Sequence, residues 1–212
     1  MSVARSIRLG LPVFDVRVGN VSLGSIQLFI GDKDSYVHLF NYLIAQTWVN
    51  RGERVAMILE KQNSTYHVSL AESFGIDVIG LQDANMWKYE ETETSDDTVT
   101  KALELVLNYS LLLIDATAWF DPDPSLLYRF INTVANSNSI VVFTAIEERM
   151  DKQAQGILEA NAEYVLRFET YWAGLRVERI MKLVRSRVPT NAFAVYYTVT
   201  KDGINIEELK RL

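Results

Sequence analysis

The chain has 212 residues, 49% of them hydrophobic, enough for one domain, residues 1–212, with a sizeable core of its own. It has no cysteine and only two histidines, His38 and His67, which excludes thiolate catalysis, disulfide frameworks and a histidine or cysteine metal centre, leaving carboxylates for any metal chemistry. A formal charge of −6 argues against nonspecific DNA binding, and the lack of a signal-like or bilayer-length apolar run predicts a cytoplasmic protein without membrane insertion.

Residues 25–30 (SIQLFI) form a β-rich run ended by Gly31, and Phe40, Leu43, Ile44 and Trp48 then recur at helical spacing across 35–50. The alternation repeats: 54–59 (RVAMIL) predicts a strand, 64–74 a helix and 77–81 (DVIGL) another strand. The acidic stretch 90–97 (EETETSDD) reads as a solvated loop whose aspartates cap the next helix. That helix carries Val99, Ala102, Leu103, Val106 and Leu107 as a buried stripe and leads into strand 110–114, with Asp115 at its carboxyl end.

Asp121, Pro122, Asp123 and Pro124 predict a stiff turn and a helix start, followed by the apolar face Leu126, Leu127, Phe130, Ile131 and Val134. Residues 139–144 (SIVVFT) predict a core strand and 151–160 a short helix. Three further β runs follow at 163–168, 175–184 and 193–199, with a turn at Lys201, Asp202 and Gly203 before 204–206. Strands alternating with helices predict an α/β fold with a mostly parallel central sheet flanked by helices, and the tail predicts a C-terminal antiparallel extension.

In such a sheet the turn after the first strand is where backbone N–H groups and a helix N-terminus hold phosphate. Here that turn reads Gly31, Asp32, Lys33, Asp34, Ser35, Tyr36, Val37, His38. A phosphate-binding loop of the form GxxxxGK[ST] needs a second glycine, a lysine and a hydroxyl where Tyr36, Val37 and His38 stand. Tyrosine adds bulk, valine supplies no charge, and histidine is a poor ligand for Mg²⁺. Asp32 and Asp34 repel a polyphosphate, Asp34 reads as a helix cap, and Lys33 comes before the position a phosphate lysine requires.

The order of features along nearly the whole chain resembles the KaiC-like branch of the RecA-superfamily ATPases. Residues 13–23, then Gly24, Ser25 and Ile26, are similar to that family's opening segment. Gly52 and Glu53 are similar to its step into the second strand. The resemblance implies a RecA-like P-loop NTPase fold with a degenerate Walker A motif at 31–38 and a Walker B aspartate at Asp115, which would order Mg²⁺ only if a Mg-nucleotide binds. It also implies that Glu60 matches the first member of a catalytic acidic pair whose second member is replaced by Lys61. Residues 161–166, 180–185 and 193–206 resemble late strands of the family. Arg185, Ser186 and Arg187 resemble a basic pair that reaches a neighbouring subunit's nucleotide, and strand alternation predicts Arg179 on their face, with Arg176 and Lys182 on the other.

The expectation is therefore a non-catalytic RecA-fold protein, a pseudo-ATPase without cofactor, serving as a regulatory or scaffolding subunit with a protein partner: an active KaiC-like paralogue or itself. Glu60 and Asp115 are then vestigial, and Trp119 and Phe120 offer aromatic surface to the partner. The alternative is a divergent KaiC-like ATPase that binds ATP with Mg²⁺ through Asp115, Glu60 as base, and Lys61 or Lys33. Direct nucleic-acid binding, as in a recombinase paralogue, would call for a basic loop after Thr144, yet Ala145, Ile146, Glu147, Glu148 and Arg149 are acidic on balance.

Overall fold

The computed structural model describes residues 6–200 and 203–208, so Lys201 and Asp202 of the expected turn lie outside the described residues. Its centre is strand β3 (Ser25–Gly31), buried along its whole length. β3 is flanked in parallel by β7 (Ile140–Ile146) and β8 (Tyr164–Ala173). β6 (Leu111–Ala116), β4 (Val55–Glu60) and β5 (Trp87–Thr92) continue the parallel sheet on one side. On the other side β9 (Arg176–Ser186), β10 (Ala194–Thr200) and β11 (Gly203–Glu208) run antiparallel, giving the order β11-β10-β9-β8-β3-β7-β6-β4-β5.

The parallel strands are continuous apolar runs because helices cover both faces. Helices α1 (Pro12–Arg17), α2 (Leu39–Val49), α3 (Ser64–Ser73) and α4 (Val78–Asp83) bury Phe14, Phe40, Trp48, Ala71 and Val78 on one face, together with Phe29, Met57 and Leu113 of the sheet. Helices α5 (Ser95–Leu105), α6 (Pro124–Ala135) and α7 (Lys152–Asn161) bury Val99, Leu127, Phe130 and Leu158 on the other, against Leu28, Ile58 and Phe143.

The sequence expectations differ from the structure at several places in the fold. The opening segment 13–23 carries structure of its own: α1 is followed by β2 (Asn20–Ser22), which pairs with β1 (Ser6–Arg8) in a separate ribbon. Within 77–81 the chain is helical from Val78, because the Asp77 carboxylate accepts the Gly80 N–H at 3.0 Å and caps α4. The strand lies instead at β5, whose last three residues fall in the stretch expected to loop; as the edge of the sheet it tolerates Lys88 and Glu90, which form an ion pair. Thr94, rather than an aspartate, caps α5, accepting the Asp97 N–H at 3.1 Å. Helix α2 begins only at Leu39, so Asp34 is no helix cap.

Candidate functional site

At the carboxyl end of β3 the chain enters the turn 32–38, and three strands of the sheet fasten it. From β8, the Thr170 N–H and hydroxyl donate to the two Asp32 carboxylate oxygens at 2.5 and 2.9 Å. From β9, Arg179 Nε donates to the Asp34 carbonyl at 2.9 Å while its guanidinium stacks on Tyr36, 4.9 Å from the ring centroid. From β10, the Tyr197 hydroxyl donates to the Ser35 carbonyl at 2.7 Å. Tyr36 adopts a left-handed backbone, φ 53°, where glycine would be unstrained.

The interior of the turn is filled by its own side chains. Ser35 and Val37 are fully buried, and a Cβ placed on Gly31 would overlap Ser35 Oγ and lie 2.8 Å from Val37 Cβ. Several of the N–H groups here already have partners: Asp34 N–H on Asp32 Oδ1, Ser35 N–H on Asp32 O, and the Leu39, Phe40 and Asn41 N–H groups on the carbonyls of Tyr36, Val37 and His38. Lys33 is exposed at the outer side of the turn.

Glu60 and Asp115 end adjacent strands but leave the sheet on opposite faces. Leu59 is the cross-strand partner of Asp115, so those two share a face and Glu60, one residue on, takes the other. Glu60 Oε1 accepts from Ser95 Oγ at 2.7 Å, at the start of α5, and its Oε2 is buried without a partner. Burial is the main reason its carboxyl is pushed up to about 7, aided by the Asp115 charge and opposed by the Ser95 bond and Lys61. Lys61 itself is exposed.

On the opposite face, Asp115 Oδ1 accepts from Gln62 Nε2 at 3.0 Å, from Thr117 Oγ1 at 2.6 Å and from the Thr117 N–H at 3.2 Å, while Oδ2 is buried and unpaired. The Gln62 carbonyl accepts from His67 Nε2 at 2.9 Å, and the other ring nitrogen, Nδ1, meets the Tyr42 hydroxyl. Burial holds both His38 and His67 below the usual histidine range, against the pull of the Asp115 charge. Asn41 Oδ1 accepts from Thr144 Oγ1 at 2.8 Å beside this group.

The structure thus brings Asp115 and His38 together with Gln62, His67 and Tyr42, and separates them from Glu60. The expected face shared by Arg179 and Arg185 is also overturned. Arg179 pairs with Thr170, but a bulge between Val165 and Leu166 resets the register, so Arg185 lies opposite Val165 on the face of Lys182. Of the aromatic pair, Trp119 is exposed and Phe120 is buried against Phe143. Gln62, His67, Tyr42, Asn41 and Ser95 carry no motif in the sequence.

No model of a known protein family matches this sequence, and no curated protein matches it. Among solved structures, a KaiC-like protein of the hyperthermophilic archaeon Pyrococcus horikoshii superposes with a TM-score of 0.80 over 96% of this chain and 99% of its own, at 15% identity. The chain has a RecA-like, KaiC-type fold. The flagellar accessory protein FlaH of Methanocaldococcus jannaschii superposes equally well, with a TM-score of 0.79 over 98% of this chain and 100% of its own, at 14% identity. In this KaiC-type frame the turn after β3 stands where ligands bind in an open parallel sheet, beyond the carboxyl ends of its strands. Among the described residues no helix is long and apolar enough to cross a membrane, and no group of three or more acidic or histidine side chains is arranged to hold a metal ion.

Proposed function

We propose that this chain is a non-catalytic member of the RecA-fold proteins that works by binding other proteins, beside an active relative of the same fold or with copies of itself. The observation that carries the reading is the buried Val37 side chain, which fills the turn after β3 at the position of a phosphate-binding lysine. Mg-ATP fits these residues poorly. The turn holds its own side chains where phosphate oxygens would sit, and Asp32 and Asp34 place negative charge beside it.

The opposite faces taken by Glu60 and Asp115 support the same reading, since a general base and a metal-ordering carboxylate must both reach the phosphate group under attack. Three strands clamp the turn shut, so opening it for a nucleotide would break bonds from Thr170, Arg179 and Tyr197 at once.

A second reading, a divergent ATPase with a rewritten phosphate site, has one observation in its favour: the buried, unpaired Asp115 Oδ2. Titration with a fluorescent ATP analogue in the presence of Mg²⁺ separates the two. The proposal expects no saturable signal; saturable binding that Asp115→Asn abolishes would establish the second reading instead.

A further inference from the structure

The loop between β6 and α6 is held rigid on both sides of an exposed tryptophan. On one side, Phe120 is buried against Phe143, its N–H donates to the Arg149 carbonyl at 2.9 Å, and its own carbonyl accepts the Asp151 N–H at 2.9 Å. On the other, Ser95 Oγ lies 3.3 Å from the Trp119 carbonyl and accepts the Asp121 N–H at 2.9 Å, and the Asp123 N–H donates to Asp96 Oδ1 at 2.7 Å. The Trp119 side chain nevertheless stays 52% exposed. A fixed backbone presenting a flat aromatic side chain loses little conformational freedom when it binds, the condition for an interface anchor.

The charge around Trp119 decides what it can bind. Glu93, Asp97, Asp121, Asp123 and Glu148 are exposed on the segments that hold the loop. Cations stand against them as well: Arg149, whose Nη1 donates to the Thr117 carbonyl at 3.0 Å, Lys61 at the end of β4, and Lys101 on α5, which pairs with Glu104. Such a rim repels nucleic-acid phosphates and attracts ammonium and guanidinium groups, which also bind the face of an indole.

We infer that the rim around Trp119 docks a lysine- or arginine-rich segment of a partner protein, one cation resting on the indole and its neighbours meeting the surrounding carboxylates. This rests on the reading of the chain as a binding protein and names the chemistry of what it binds. The side chains of Glu93, Asp97 and Asp121 can be neutralised without removing a helix cap, because the caps here come from Thr94 and Asp123.

The test is fluorescence anisotropy of a fluorescein-labelled octa-arginine peptide with the full chain at about 50 mM and about 300 mM salt. The wild type should bind saturably and more weakly at high salt. Trp119→Ala should weaken binding about fivefold. Neutralising Glu93→Gln, Asp97→Asn and Asp121→Asn together should weaken it and flatten its salt dependence, while Trp172→Ala, at the other exposed tryptophan, should leave it unchanged. No saturable binding by the wild type, equal binding by Trp119→Ala, or loss of binding in Trp172→Ala would each overturn the proposal. Self-association abolished by Trp119→Ala without peptide binding would also overturn it, assigning the surface to a second copy. Thermal unfolding with Mg-ATP, which reports on the turn after β3, tests the non-catalytic reading separately.

Discussion

Arg179 and Tyr36 form the outermost fastening of the turn after β3, the guanidinium lying over the ring while its Nε bonds the Asp34 carbonyl two residues before the tyrosine. A planar guanidinium makes both contacts at once, which an ammonium does not. Arg179→Ala should lower stability by about 1–2 kcal/mol, from one cation–π contact and one hydrogen bond. Arg179→Lys should recover less than half of that. Thermal unfolding of the two variants, at roughly 2–4 °C per kcal/mol for a chain of this size, checks the order.

Val37→Lys should fail to restore a phosphate site and should instead damage the fold. Val37 belongs to the core shared with Phe40 and Phe168, and a lysine there buries an unpaired charge or must be driven out of the core. The expected loss is about 2–5 kcal/mol by denaturant unfolding. A variant as stable as the wild type would show that the turn opens readily and would weaken the functional reading.

Glu60 makes stability depend on pH. Its folded pKa of about 7 lies above its ordinary 4.5, so between those values the folded state binds the proton that the unfolded state releases. The contribution is complete below pH 4.5 and is lost as pH rises through 7, a change on the order of 3 kcal/mol for this fully buried group. Glu60→Gln keeps a Ser95 acceptor and should remove that alkaline loss. His38 and His67 act in the opposite sense, since the fold disfavours their protonated forms and stability falls as pH drops below 6.5. Urea midpoints of Glu60→Gln from pH 5 to 8 should therefore show the acid-side loss alone.

Gln62 joins α3 to the end of β6 through His67 and Asp115, and its removal leaves a buried donor and a carboxylate short of partners. Gln62→Ala should cost about 1–3 kcal/mol. A loss near zero in the urea midpoint would show that Asp115 is satisfied in another way.

The strands beneath the site were legible because β3, β4, β6 and β7 are buried on both faces and read as unbroken apolar runs. The start of α6 was legible because Asp123 and Pro124 act locally, one capping and one fixing the first turn. The segment 77–92 was misread for a physical reason: a five-residue apolar run has no decisive period, and an edge strand with one solvated side carries charges that look like a loop. The Arg185 face was lost to a bulge, which shifts the alternation without any mark in the residues themselves. The polar group around Asp115 was invisible because Tyr42, Gln62 and His67 meet only after α2 and α3 have packed on the sheet.

The central claim, that the turn after β3 does not take a nucleotide, is tested most directly by thermal unfolding of the full chain with and without millimolar Mg-ATP. A ligand present at 100 times its Kd stabilises by about 2.7 kcal/mol, a shift of roughly 5–11 °C for a chain of this size. The account predicts an unchanged unfolding temperature. A clear upward shift that requires Mg²⁺ and disappears in Asp115→Asn would contradict it.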